Sequence, residues 1–135
     1  MNDSALMLRA AAAGNLTADE AETTHIVDLG PGGTSINGVD VWLLVPSDSG
    51  TDTLVATVYG DDTAALSSPD EVLGVFKTIT GGTDAFPLVR TIHISTRRRY
   101  IGLKLDVTDT GGGVNFGAVQ AGVTIGYANP GGARP

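Results

Sequence analysis

The sequence predicts an all-β fold, a β-sandwich or jelly roll with an N-terminal arm or short helix. Three observations carry that expectation. Apolar residues recur with a period of two, most cleanly where Ile101, Leu103, Leu105 and Val107 alternate with Tyr100, Gly102, Lys104 and Asp106. The 19 glycines and 6 prolines among 135 residues cut the chain into short runs, as strands joined by tight turns require. The connections between runs are too short and glycine-rich to hold the crossover helices of a parallel sheet. With 41% hydrophobic and 17% charged residues the chain has the apolar content of one packed domain. It has no cysteine, which excludes disulfides and thiolate metal sites.

Three regions are expected: an arm or short helix with an acidic loop at 1–22, a sandwich domain at 23–128 and a flexible tail at 129–135. The opening residues, ending in alanines at 10–13, favour helix, and Gly14 closes them. Residues 16–24 are polar loop. An apolar run at 25–29 reads as a strand stopped by the glycines and proline of 30–33. Val39, Val41, Leu43 and Val45 alternate with Asp40, Trp42 and Leu44, a strand expected to be buried on both faces. A polar turn at 46–51 makes a hairpin of this strand and the next, where Leu54, Ala56 and Val58 alternate with Val55, Thr57 and Tyr59. A loop at 60–70 precedes a weaker strand at 72–79, a turn at Gly81 and Gly82, and a strand at 88–95. Residues 96–99 form a second hairpin turn into the strand at 100–107. The last strand falls within 114–127, where Gly117, Ala118, Ala121 and Gly122 permit a bulge or close backbone approach.

Little in this sequence points to catalysis, and the chain is expected to be no enzyme and to need no cofactor or metal. His25 and His93 lie in strand-like runs without a nucleophile motif nearby, so both read as sheet-face histidines. The glycine-rich segments match no phosphate-binding loop. Asp48, Asp52, Asp61 and Asp62 fall at the ends of one strand and Asp106 and Asp109 at the end of another. Their spacing is not that of a calcium loop, and solvated loop carboxylates are the expectation. Paired carboxylates for glycoside hydrolysis stay open at this stage.

Net charge is −7, which disfavours nucleic acid and anionic membrane as partners. No apolar run approaches the roughly 20 residues of a membrane span. Asp3 stands where a signal peptide carries positive charge, so no export signal is expected. Five of the eight basic residues, Arg90, Arg97, Arg98, Arg99 and Lys104, lie between Asp84 and Asp106 with no acidic residue among them. The segment reads either as solvated strand ends or as an interaction site. Trp42 and Leu44, with Tyr59 on the expected neighbouring strand, make an apolar face that one small sandwich need not cover, hence candidates for a subunit interface.

The order of landmarks resembles the small capsid cement, or decoration, proteins of tailed bacteriophages. It runs D-S-A-L at 3–6, T-x-x-I-V-D-L-G at 23–30, D-T-L-V-A-x-V-Y-G-D-D at 52–62 and R-R-Y-I-x-L at 98–103, then a glycine-rich final strand at 116–123. The resemblance implies a homotrimeric structural virion protein, made in the host cytoplasm and carried on the capsid exterior. There it would stabilise the shell by bridging subunits of the major capsid protein. The chain departs from the pattern in its acidic stretch at 15–22 and its longer loop at 30–38. In this setting Arg97, Arg98, Arg99, Arg90 and Lys104 become candidates for capsid contact, because an acidic protein docks best through a carboxylate-free interval. The competing reading pairs Arg98 or Arg99 with Asp106 or Asp109 of a neighbouring subunit. The alternative function is a carbohydrate- or receptor-binding β-sandwich of a phage tail or fibre.

Overall fold

A computed structural model describes residues 6–34, 36–66 and 71–124. The first three residues of the D-S-A-L element, the end of the expected domain at 125–128 and the expected tail at 129–135 lie outside the described residues. The strands are β1 (Met7–Arg9), β2 (Ile26–Asp28), β3 (Val39–Val45), β4 (Thr53–Asp61), β5 (Glu71–Val75), β6 (Ile79–Thr80), β7 (Leu88–Ile94), β8 (Tyr100–Thr108) and β9 (Gln120–Thr124). They form two antiparallel sheets packed face to face. The first has the order β1-β9-β3-β7; the second has the order β2-β8-β4-β5, with β6 also paired to β4. Except for β4, β5 and β6, which all lie in the second layer, consecutive strands alternate between the layers. The architecture is a β-sandwich.

Neither expected hairpin forms. β3 lies between β7 and β9 in one layer, whereas β4 lies between β8 and the β5/β6 edge in the other. The reason is the pair of apolar faces. Val41, Leu43 and Val45 of β3 and Leu54, Ala56 and Val58 of β4 are all but fully buried because they face each other across the sandwich. A hairpin would have placed both sets in one sheet, facing the same way. The chain crosses at 46–52, where Gly50 takes a positive φ of 57° and Asp52 donates its backbone N–H to Ser49 O at 2.9 Å. β7 and β8 are separated in the same manner by the turn at 96–99, Ile94 and Leu103 both entering the core.

Other elements differ locally from expectation. Among its described residues the N-terminal segment holds a strand and a 3-10 turn at Ala11–Ala13 rather than an α-helix, because β1 satisfies its backbone groups on β9. It is part of the domain: Leu8 and Leu16 are core residues. The strand expected at 72–79 is split into β5 and β6, and Phe76 turns into the core between them. The segment before β9 is irregular, and its Phe116 and Val119 are fully buried. Each fully buried Leu, Val or Phe contributes about 1.5–3 kcal/mol relative to exposure, so these irregular segments seal the core as effectively as strands do.

Candidate interaction surfaces

The carboxylate-free interval of the sequence is not carboxylate-free in space. Arg90 Nη2 lies 3.3 Å from Asp84, Arg98 Nη1 2.7 Å from Asp62 and Arg98 Nε 3.6 Å from Glu71. Arg99 grips Asp28 with two hydrogen bonds of 2.9 Å, and its guanidinium carbon stands 5.2 Å from the Tyr100 ring centroid. That guanidinium, with the Gly30 N–H, holds the Asp28 carboxyl below its ordinary range, and the carboxylate in turn raises Arg99. Lys104 Nζ is 4.0 Å from Asp106. Asp109 accepts hydrogen bonds from the N–H groups of Gly111 and Gly113 in its own loop. Both carboxylates considered as partners for a neighbouring subunit are thus engaged within the chain. Among the described residues Arg97 is the exception in the segment: it is exposed and makes no ion pair.

Arg97 stands on a stiff platform. Thr34 donates its backbone N–H to Thr96 O at 2.8 Å, and Leu29 does the same to Arg99 O at 2.7 Å. A Cβ on Gly33, which has a φ of 71°, would lie 2.3 Å from Thr96 O. The backbone at Gly33 and Thr34 therefore packs directly on the basic turn. At the rim of the open hollow between them Ile36 is 95% exposed. An exposed cation and an exposed aliphatic side chain thus share one pole of the sandwich.

Trp42, Leu44 and Tyr59 do not form one patch. Trp42 and Leu44 are half-buried on the outer face of the first sheet, whereas Tyr59 is half-buried on the outer face of the second. The β3 strand is accordingly buried on one side only. Around Trp42 the register sets Leu44 against Val89, Trp42 against Thr91 and Asp40 against His93. The indole lies across the β9 backbone at Gly122, where a Cβ would come within 2.8–3.0 Å of its Cζ2, Cε2 and Nε1 atoms. Around Tyr59, Val72 is its cross-strand partner and Val75 is the partner of Thr57; these valines are 55% and 53% exposed.

The aspartates clamp loops. Asp52, buried, accepts the N–H and hydroxyl of Thr110 and the hydroxyl of Ser49, which together hold its carboxyl below the ordinary range. Asp48 accepts the Gly82 N–H, and Asp61 that of Thr63. Among the described residues no group of three or more His, Cys, Asp or Glu side chains is disposed to hold a metal ion. His93, on the outer sheet face, bonds Asp40 at 2.8 Å, and that contact raises its pKa. His25 is buried and shares Glu20 with Arg9.

The Arg9–Glu20–His25 cluster had no signal in the sequence beyond one arginine in an alanine-rich run. Arg9 also donates to Gly14 O and Val119 O, so one side chain binds β1, the following loop and the approach to β9. No protein-family model matches the chain, and no curated protein shows significant similarity to it.

Proposed function

We propose that the protein is a structural virion protein that binds the exterior of an assembled bacteriophage capsid as a homotrimer, bridging neighbouring major capsid protein subunits. The observation that carries this reading is the pole of the sandwich where Arg97 and Ile36 project from a rigid loop-and-turn unit. A body that attaches to a lattice through repeated contacts needs stiff, exposed anchors rather than an enclosed pocket, and avidity supplies the strength once several copies engage. Arg97 is suited to a carboxylate of the shell, since it is exposed and makes no ion pair among the described residues. The valines beside Tyr59 offer a separate apolar surface for contact between copies. A cyclic trimer would then present the Arg97 pole of each copy in the same direction. The resemblance to capsid cement proteins supplies the shell as the partner.

Co-sedimentation with purified capsids lacking the protein tests the proposal. The protein should pellet with the capsids and remain in solution with unassembled capsid subunits. Arg97→Glu should weaken pelleting, most strongly at low salt, while light scattering reports the same trimer. A protein that stays in the supernatant with intact capsids overturns the reading.

A further inference from the structure

We propose that the outer face of the first sheet is a binding site for a neutral saccharide, with Trp42 as its stacking surface. A shallow hollow of about 330 Å³ lies there, lined by Trp42, Leu44, Val89 and Thr124. Its floor is apolar. The indole is held across Gly122, and Leu44 and Val89 stand in register beside it. Its rim is polar: Thr91 is the cross-strand neighbour of Trp42, Thr124 is exposed, and the Asp40–His93 pair lies two register positions beyond. Small-ligand sites combine an apolar floor with a few placed polar groups in this way. A pyranose matches it, with C–H bonds for the indole and hydroxyls for the threonines and carboxylate.

Charge and size narrow the class. A net charge of −7 and a carboxylate at the rim oppose acidic saccharides and nucleotides, leaving a neutral sugar. The four residues lining the hollow match a ligand the size of a sugar ring, whereas a protein partner buries on the order of 800 Å² per side. The site does not rest on the capsid-binding reading, since it lies on a sheet face and the Arg97 pole lies on the loops.

The chain contains one tryptophan, so its fluorescence reports on this site alone. The full chain is titrated with the methyl glycosides of glucose, galactose, mannose and N-acetylglucosamine, and with cellotriose and chitotriose. At least one should give a saturable change in Trp42 emission and protect it from iodide quenching. Val89→Glu, at a position 65% exposed and therefore tolerant, should weaken that response by about tenfold or more at unchanged melting temperature. The proposal is overturned if no probe alters emission or quenching, if Val89→Glu leaves the response intact, or if emission follows protein concentration alone, which marks the face as a contact between copies. Capsid co-sedimentation separates the two readings: it should survive Val89→Glu, and a wild-type protein that answers a saccharide yet stays in the supernatant with capsids would count against the capsid reading only.

Discussion

Arg9 and Glu20 meet through two hydrogen bonds, Nε to Oε1 at 2.8 Å and Nη2 to Oε2 at 3.0 Å, with the arginine side chain fully withdrawn from solvent. A buried guanidinium is tolerable only with its counter-charge in place. Glu20→Ala should therefore cost about 3 kcal/mol or more, the penalty of an orphaned buried charge, as measured by urea denaturation. Arg9→Met, which removes the charge and keeps the volume, should cost less. Equal losses would show that the pair matters only for packing.

Acid should destabilise the protein through Glu20 and Asp52. The Arg9 contact holds Glu20 below its ordinary 4.5, and the Thr110 and Ser49 donors hold Asp52 below its ordinary 3.8. For a depressed carboxyl the unfolded chain takes up protons first, so the stabilisation is complete above the ordinary value and is lost as pH falls through the folded value. Melting temperature should fall steadily below about pH 4.5. Asp52→Asn, less stable at neutral pH, should show a shallower fall.

His93 acts with the opposite sign. Asp40 and the backbone at Asn37 raise its pKa above the ordinary 6.5, so its contribution is complete below that value and is lost as pH rises through the folded value. An NMR titration of the ring protons should place its midpoint above 6.5, and Asp40→Asn should lower it. A wild-type midpoint at or below 6.5 would contradict the contact.

Two strand glycines should differ in what alanine does to them. A Cβ at Gly102 would stand 2.5 Å from Glu22 O and 2.8 Å from the Leu66 side chain, and backbone cannot yield. Gly102→Ala should cost about 3 kcal/mol, at the upper end for overpacking. The nearest atoms that a Cβ at Gly122 would meet belong to the indole of Trp42, a side chain with room to turn where the backbone has none. Gly122→Ala should cost about 1 kcal/mol and shift tryptophan emission to the red. An unshifted spectrum would mean that the indole does not rest on β9.

The layer structure was legible where one residue type decided the matter. The β3 and β8 alternations fixed which side chains enter the core, and Val41, Leu43, Ile101 and Leu103 are there. Pairing partners were not legible, because the turn at 46–51 is equally good at closing a hairpin or crossing a sandwich. What decides is the need to stack two apolar faces, a property of the whole fold. What the basic segment meets within the chain was not legible for a related reason. Charge along the chain is one-dimensional, and Asp28, Asp62 and Glu71 come from other elements to meet Arg99 and Arg98. Gly122 drew notice for close backbone approach, and Trp42 is what approaches it.

Alternation between layers also governs how the chain can find its structure. Within this order only β4, β5 and β6 pair with near neighbours in sequence, whereas β1 must await β9 and β3 must await both β7 and β9. Chain closure over such separations is costly before any contact repays it, which places folding in the millisecond-to-second regime of all-β domains. The stretch at 53–80 is the natural nucleus, and β1 docks only after β9 has arrived. During synthesis everything through β9 must therefore emerge before the first sheet can close, and until then the valines of β3 lack part of their cover against neighbouring chains.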